Sequence, residues 1–470
     1  MMKAMLTAMT ADVTPAPKSA RTPPPARAGT ADGPLYGVER AGLVLLAATL
    51  LAFGGLVLLR SAFQESRKTD FGVYCRAAHA VRVGTDIYGL NTCDDNGWHY
   101  CYPPPFAVAM VPFADPFEFQ DHAFYLPFWA SVSAWYLLSV GLIAWSLHRF
   151  AAAVLPGEVP YSRRWWYART VPFYVGIGGL TYTLARGQVN VVVVAMIAGT
   201  FTATCRRQPV RAGLWLAGAV AVKVIPVYLL LDSLVRKDWR SVVGLSLGLS
   251  LFLVAVPAAV WGWQGMIDNN VTFIDAVLAP GALGTGDQMR AKELTNTAST
   301  DSQSFQAALH NLRHPDPATR PPNADRFSKL FHVAVSGFLT LAMLGVAVVR
   351  GVRPDPAERL IFLGCVTIAM LHVTPVSHMH YYALGLPLVA GLWLQGLRDR
   401  PGRVTCDPVT LALLVGWGGL VLVMLLPHDL PTTMRECGVG PVASLVLWAY
   451  GLRRAARCKD FSPQRAREGT

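Results

Sequence analysis

The sequence feature that most constrains the fold is a series of apolar runs, each close to the thickness of a lipid bilayer. The runs lie near residues 41–59, 123–147, 170–185, 189–204, 212–222, 224–234, 241–262, 328–349, 358–371, 381–397, 408–427 and 438–452. Only 15% of the residues are charged, against roughly a quarter in soluble domains. A soluble enzyme, a disordered scaffold and a fibrous protein are therefore excluded. We predict an all-α polytopic membrane protein with about twelve transmembrane helices.

The runs divide the chain into a membrane domain, two tails and two long loops. Residues 1–40 are rich in Pro, Ala and Thr, and they predict a disordered tail because they have little apolar surface to bury. No short apolar segment with a cleavage site precedes the first run, which predicts a retained span. The resulting domain is residues 41–452, with long loops at about 61–103 and 263–327 and a basic tail at 453–470.

The basic residues indicate which loops face the cytoplasm. If the N-terminus is cytoplasmic, the tails and cytoplasmic loops hold roughly 27 of the 41 Lys and Arg residues, as the positive-inside rule predicts. Both tails are then cytoplasmic, and both long loops lie on the opposite face of a plasma (inner) membrane. The basic clusters are scattered between apolar runs without a single basic face, so the net charge of +12 reflects topology and not nucleic-acid binding.

Two stretches do not fit a simple span. Residues 212–235 have basic residues at both ends and contain Lys223 and Pro226, which predicts two short helices that meet at the non-cytoplasmic side. The apolar stretch from Pro103 to Ala114 is too short to cross a bilayer, and it predicts an interfacial or re-entrant segment.

Polar side chains collect in the non-cytoplasmic segments of this topology. They are Asp70, Tyr102, Arg186, Gln188, Asn190, Lys223, Gln303, His378 and His380. A lysine in an apolar run costs about 2.5–3.5 kcal/mol, so Lys223 must lie near the membrane boundary or pair with an anion. Asp70 has the alternative of a solvated loop residue or a helix N-cap. Convergence of these groups predicts a site at the membrane surface.

Motifs for metals and nucleotides are absent from the sequence. His378 and His380 alternate, so on a helix they would point to different faces, and no CxxC pair occurs. We predict no metal and no cofactor. The absence of GxxxxGK[ST], GxSxG and HExxH motifs argues against an ATP-driven pump, a serine hydrolase and a zinc protease. Cys93 and Cys101 share the first long loop, where an oxidising compartment allows a disulfide between them.

An ordered set of motifs resembles glycosyltransferase family 87. The motifs are Thr69-Asp70-Phe71 with Tyr74, Gly84-x-Asp86-x-Tyr88, Tyr102-Pro103-Pro104, Gly187-Gln188-Val189-Asn190, Ala212-Gly213 with Lys223-x-x-Pro226, and Thr374-Pro375-x-Ser377 before His380. The resemblance runs from about residue 41 to 400. It implies the C-type glycosyltransferase fold and a polyprenyl-phosphate sugar donor, with mannose as the hexose that is transferred.

The resemblance also implies roles for individual residues. Asp70 matches the family's catalytic aspartate, and either His378 or His380 matches a histidine that assists this base or holds the acceptor. Lys223 and Arg186 are the expected cations for the leaving phosphate. Tyr102, Gln188, Asn190 and Gln303 are expected to bind substrate.

The reaction implied by the resemblance inverts the sugar's anomeric carbon on the non-cytoplasmic face and has a lipid or glycan acceptor. The expected partners are this donor, this acceptor and membrane lipids, without nucleic acid. The alternative is a secondary transporter or flippase, since many spans and a helix broken around a charge are also typical of carriers. A transporter usually has ionisable groups near the bilayer midplane and repeated halves. Here the polar groups gather at one face and no repeat is visible, so the glycosyltransferase is favoured.

Overall fold

The computed structural model describes residues 33–64, 68–88, 99–116, 123–283, 302–350 and 355–457. The regular elements in these ranges are helices, and the bridge between Ser302 and His378 is the isolated strand-like pairing that they contain. In the first half of the chain the helices are α1 Gly37–Leu58, α2 Asp70–Val83, α3 Pro104–Ala109, α4 Phe128–Val154, α5 Arg163–Val175, α6 Ile177–Arg186, α7 Asn190–Cys205 and α8 Pro209–Val222.

The second half continues the same architecture. Its helices are α9 Leu230–Val235, α10 Trp239–Leu249, α11 Val256–Phe273, α12 Ala279–Leu283, α13 Phe305–Arg313, α14 Arg326–Arg350, α15 Pro356–Val373, α16 Leu386–Arg398, α17 Pro408–Val423, α18 Asp429–Glu436 and α19 Val439–Arg457. The predicted tails fall largely outside the described residues, because these begin at residue 33 and end at residue 457. The all-helical prediction is confirmed for the described part of the chain.

Five helical segments in the described ranges are long and apolar enough to cross a membrane. They are Gly37–Gln64, Phe128–Val154, Trp239–Gly281, Arg326–Val349 and Pro356–Val373. Their burial differs, since 72% of the Pro356–Val373 window is buried against 6% of the Gly37–Gln64 window. The chain is therefore a membrane protein in which α15 is a central helix and α1 presents its apolar side chains outward.

The helices pack closely where glycine removes a side chain. A Cβ on Gly213 of α8 would lie within 2.4 Å of the Leu245 nitrogen in α10, and a Cβ on Gly364 of α15 would lie 2.3 Å from the Leu388 Cα in α16. Such contacts bring backbones together in the way that small residues do in membrane helix pairs. They bring α8 close to α10 and α15 close to α16.

The helix ends form two polar regions. We name them the cavity end, defined by Asp70, Arg186, Lys223, His378 and His380, and the basic end, defined by Arg163, Arg164, Arg211, Lys237 and Arg398. At the basic end the Ser241 hydroxyl donates to the Pro209 carbonyl at 3.1 Å. The Arg164 guanidinium donates to the Leu397 carbonyl at 2.9 Å, which joins the start of α5 to the end of α16.

The stretch around Lys223 is broken, as the sequence predicts. Helix α8 ends at Val222, and Lys223 has extended backbone angles, with φ −152° and ψ 124°. Pro226 follows in a short 3-10 turn, Ile225–Leu229, which leads into α9. Proline lacks an amide hydrogen and disfavours helix in the residue before it, so the pair of short helices has a local cause.

The first part of the predicted loop at about 263–327 is helical. Helical structure continues through α11 and α12 to Leu283, interrupted at Gly262, which has φ 73° and ψ 176°. Val271 and Leu278 are among the exposed apolar side chains of this segment. Their apolar surface continues the span beyond the polar residues Asn269 and Asn270, which made the sequence pattern resemble a loop.

Candidate active site

A cavity of about 320 Å³ opens at the cavity end. It is lined by Asp70, His99, Cys101, Tyr102, Pro103, Gln188, Lys223, Val224, Ile225, Phe273, Val277, Leu278, Gly281, Thr374, Pro375, Val376, His378, His380 and Tyr381. These residues come from six separate parts of the chain. Of the nine predicted site residues, Asp70, Tyr102, Gln188, Lys223, His378 and His380 line this cavity.

Asp70 forms an ion pair with Arg186. The Arg186 Nε donates to Asp70 Oδ2 at 2.8 Å, and the two side chains are 20% and 10% exposed. Asp70 is the first residue of α2, where the Thr69 hydroxyl caps the helix by accepting from the Gly72 amide at 3.3 Å. Arg186 is the last residue of α6. Each charge therefore sits at the helix terminus whose dipole favours it.

Gly187 lets these two helices approach. Its φ of 68° lies in the left-handed region, and an added Cβ would lie 2.6 Å from the Phe71 Cβ. Its carbonyl accepts from the Trp135 indole at 2.9 Å. Glycine is required here both by the backbone conformation and by the contact with the residue after Asp70.

A second group of polar residues surrounds Gln188. The Tyr102 hydroxyl donates to Gln188 Oε1 at 3.1 Å, and the Tyr74 hydroxyl lies 2.9 Å from that of Tyr102 and 3.2 Å from the same amide oxygen. Burial raises the pKa of Tyr102 well above its usual value, and the nearby Asp70 charge raises it further. The Tyr102 phenol thus stays a neutral hydrogen-bond donor at the cavity wall.

Lys223 is buried and points toward the turn after α6. Its ammonium donates to Asn190 Oδ1 at 2.9 Å and lies 3.7 Å from the Tyr381 ring centroid. The Asn190 amide in turn donates to the His380 carbonyl at 2.9 Å, as does the Thr183 hydroxyl. One asparagine therefore links the broken helix to the segment that carries His380, although its own side chain does not line the cavity.

The two histidines stack beside each other. The ring centroids of His378 and His380 are 5.4 Å apart with planes 19° from parallel, and His380 also stacks on Tyr182. The Nδ1 atom of His380 is buried and has no hydrogen-bond partner among the described residues. In the same ranges no group of three metal-ligand side chains includes either histidine. His380 thus has one ring nitrogen that no described residue satisfies.

Gln303 lies behind this wall. Its backbone amide donates to the Ser377 carbonyl, next to the bridge between Ser302 and His378. Its side-chain amide is 3.4 Å from the carbonyls of Ser302 and Arg435, and it is not among the cavity residues. Gln303 thus supports the segment that carries His378, and its predicted contact with substrate stays a prediction.

Sequence reasoning missed part of the cavity. Phe273, Val277 and Leu278 form an apolar side of it, and they come from the helical segment that was predicted to be a loop. Tyr381 was also missed, although an aromatic ring next to two histidines is a fitting neighbour for a buried lysine. Cys101 lines the cavity, whereas its predicted disulfide partner Cys93 lies outside the described residues.

The chain's similarity to known proteins agrees with this geometry. Residues 100–375 match the sequence profile of glycosyltransferase family 87. The chain belongs to this family. It is therefore a glycosyltransferase, and the family is favoured over a transporter.

Two curated relatives extend the match over most of the chain. One is a polyprenol-phosphate-mannose-dependent alpha-(1-2)-phosphatidylinositol mannoside mannosyltransferase of Mycobacterium tuberculosis (strain ATCC 25618 / H37Rv), 27% identical over 395 residues, which cover 81% of each chain. The other has the same name, comes from Mycolicibacterium smegmatis (strain ATCC 700084 / mc(2)155), and is 24% identical over 403 residues, covering 82% of each chain. The family 87 assignment thus agrees with the names of relatives that match about four fifths of the chain.

Proposed function

We propose that this family 87 enzyme transfers mannose from a polyprenyl-phosphate donor to a glycolipid acceptor at the non-cytoplasmic face of the plasma membrane. The observation that carries the proposal is that Asp70 and Lys223 line one cavity beside an apolar wall, with Arg186 paired to Asp70. The named relatives use polyprenol-phosphate mannose and act on phosphatidylinositol mannoside, which supports this donor and this class of acceptor. A C-type fold with about twelve spans completes the proposal.

Asp70 acts as the general base. Arg186 holds Oδ2, so the other carboxylate oxygen accepts the proton of the acceptor hydroxyl. The acceptor oxygen bonds to the anomeric carbon as the bond from that carbon to the phosphate oxygen breaks. Attack from the face opposite the phosphate inverts the anomeric centre.

Lys223 and Arg186 stabilise the leaving phosphate. The lysine partner seen in the structure is the neutral oxygen of Asn190, so its positive charge is not cancelled by an adjacent carboxylate. A phosphate that binds there gains a charge-assisted hydrogen bond where negative charge develops. Phe273, Val277 and Leu278 are placed to contact the first isoprene units, because they line the same cavity.

His378 and His380 bind the acceptor. Their stacked rings lie on the cavity wall that Ser302 and Gln303 support from behind. A histidine nitrogen without a protein partner is suited to bind a sugar hydroxyl. The Tyr102 phenol lines the same cavity, and because its one hydrogen goes to Gln188 Oε1, it meets the sugar with its ring and its oxygen lone pairs.

The test is a transfer assay with purified protein in lipid nanodiscs. We expect radiolabelled mannose to move from polyprenyl-phosphate mannose to phosphatidylinositol mannoside acceptors, and not from a nucleotide-activated mannose. Product from the nucleotide sugar would refute the donor assignment. Failure of every polyprenyl-phosphate sugar with every glycolipid acceptor would refute the proposed function.

Cysteine labelling tests the proposed orientation. In a chain without native cysteines, Thr85→Cys at the cavity end should react with a membrane-impermeant maleimide in intact cells, and Lys237→Cys at the basic end should react only after permeabilisation. Both positions are exposed. The reversed pattern would place the cavity on the cytoplasmic side.

A further inference from the structure

A second cluster of chemically active side chains lies outside the cavity. His310 and His314 are one turn apart at the end of α13, and Asp325 immediately precedes α14. One potential ligand atom from each residue lies within 4.8 Å of the others. His310 Nδ1 and His314 Nε2 lie 3.6 and 3.8 Å from the same oxygen, Asp325 Oδ2.

The hydrogen bond of His310 determines which of its nitrogens is available. Its Nε2 lies 2.8 Å from the Pro321 carbonyl oxygen, and because a carbonyl only accepts, Nε2 carries the hydrogen. In the neutral ring Nδ1 then has a lone pair. The His310 side chain is fully buried, and Nδ1 has no hydrogen-bond partner among the described residues.

In the neutral His310 ring the Nδ1 lone pair thus faces a carboxylate oxygen, Asp325 Oδ2. A buried lone pair that faces a carboxylate oxygen is unfavourable unless a cation lies between the two. The Asp325 carboxylate is held in place by Ser328, whose amide donates to Oδ1 at 3.0 Å and whose hydroxyl donates to Oδ2 at 2.9 Å. Arg313 approaches Oδ2 at 3.4 Å, but its side chain is 46% exposed and is able to move away.

The spacing is close to that of a zinc site. A tetrahedral zinc ion with bonds of about 2.0–2.1 Å separates its ligand atoms by about 3.3 Å. The two nitrogen-to-oxygen distances exceed this by a few tenths of an ångström, and the two histidine nitrogens, which lie within 4.8 Å of each other, move together when the ion binds. The hydrogen bonds that His310 and Asp325 make to other residues also suit a zinc site. The Pro321 carbonyl orients His310, and the Ser328 hydroxyl donates to Asp325 Oδ2 at 2.9 Å, leaving that oxygen a second lone pair.

We propose that His310, His314 and Asp325 bind one divalent cation of the zinc type, with water in the fourth position. The site is structural. It fastens the start of α14 to α13, whose first turn is capped by the Ser304 hydroxyl next to the Ser302 bridge to His378. The ion thereby stabilises the wall of the cavity from outside, without contact with the reacting sugar.

The experiment uses the full chain, purified in detergent through a tag that contains no histidine. The protein is stripped with EDTA, equilibrated with Zn²⁺ and freed of unbound metal before its zinc content is measured by mass spectrometry. Co²⁺ is titrated in parallel, because a tetrahedral cobalt site has a characteristic visible absorption. We expect about one zinc per chain and a higher melting temperature with zinc than without it.

Two variants and one control decide the outcome. His314→Gln removes a part-exposed ligand, and Asp325→Asn keeps a good helix N-cap while weakening the ligand, so both are expected to fold. Each should bind zinc at least tenfold more weakly and lose the rise in melting temperature. His428→Gln replaces an exposed histidine at the start of α18 and should behave as the unaltered chain.

Other outcomes refute the proposal. Undetectable zinc in the unaltered chain would mean that a proton is the bridging cation. Equal zinc binding by the unaltered chain and both variants would mean that the metal binds elsewhere. Neither outcome affects the proposed mannosyl transfer, which is measured separately by the donor assay.

Discussion

The two ends of the helical domain use basic residues in different ways. At the basic end arginines pair with nearby acids, as Arg163 does with Glu39 and Arg398 with Asp355, both at 2.6 Å. At the cavity end the Asp70 carboxylate pairs with Arg186, while Lys223 contacts a neutral amide and an aromatic ring. Asp70 and Arg186 therefore neutralise each other, whereas the contacts of Lys223 are with neutral groups.

This difference shows why a count of charged residues predicts a membrane topology but does not locate the site. A paired arginine at the basic end has its charge satisfied by the protein and is typical of a cytoplasmic loop. The charge of Lys223 remains available, and an anionic phosphate is suited to it. The predictions below substitute matching residues at both ends and are ordered by the size of the expected effect.

The largest effect is expected for Asp70→Asn. The amide keeps the shape of the side chain and loses the proton acceptor, so transfer should fall by about 10²–10⁴-fold. The matched control is Asp355→Asn, which alters an arginine pair at the basic end and leaves a competent helix cap. The assay compares kcat/KM for both variants at equal folded fraction. If well-folded Asp70→Asn keeps more than roughly a tenth of the activity, Asp70 is not the base.

A smaller effect is expected for Lys223→Gln. Loss of a charge-assisted hydrogen bond to the donor phosphate, worth about 1.5–3 kcal/mol, should lower kcat/KM for the donor by roughly ten- to a hundredfold. The affinity for the acceptor should change less. Lys237→Gln at the basic end is the control, since Lys237 is exposed. Near-normal kinetics of Lys223→Gln for both substrates would remove Lys223 from the site.

Backbone geometry is tested by Gly187→Ala. Ala in the left-handed region costs about 1–2 kcal/mol, and here its Cβ would also press against Phe71 and displace the start of α2. Gly402→Ala is the control, because Gly402 has a φ of 77° and open space around it. Both variants should melt earlier, and only Gly187→Ala should lose activity, by severalfold. If Gly187→Ala were as active as Gly402→Ala, Asp70 would tolerate a shift of its helix.

The sequence predicts the helices and the helix break that are determined by residues close together in the chain. The apolar runs locate the long helices, and the lysine and proline in one run locate the break at Lys223. The pairing of Asp70 with Arg186 joins residues 116 positions apart, and periodicity does not show it. The resemblance to a family predicts Asp70 as the base. The residue that pairs with each charged side chain is known only from how the helices pack.

The features that the sequence analysis did not predict also have physical causes. Asn269 and Asn270 interrupt an apolar segment, so a helix that lines the cavity resembled a loop. The spacing of His310 and His314 was a detectable signal, since residues four apart share a helix face. Their third partner, Asp325, is brought in by the turn between two helices.

The smallest effect concerns a helix cap at the basic end. Asp407 caps α17 by accepting from the Thr410 amide at 3.0 Å and the Thr410 hydroxyl at 2.6 Å. Burial raises the pKa of Asp407, but these hydrogen bonds outweigh it, and the net pKa is lowered. Asp407→Ala should therefore cost about 1 kcal/mol of stability at neutral pH and leave sugar transfer unchanged.

The pH dependence of this loss follows from the direction of the pKa shift. The carboxylate binds its proton less readily in the folded chain than in the unfolded chain. Its contribution to the free energy of unfolding is therefore present above the unfolded pKa of about 3.9, and it is lost as the pH falls through the lower folded pKa. Melting temperatures of the unaltered chain and Asp407→Ala should therefore differ at pH 7 and converge in acid. A difference that stays constant down to about pH 2 would show that the side chain stabilises α17 by packing and not as a charged cap.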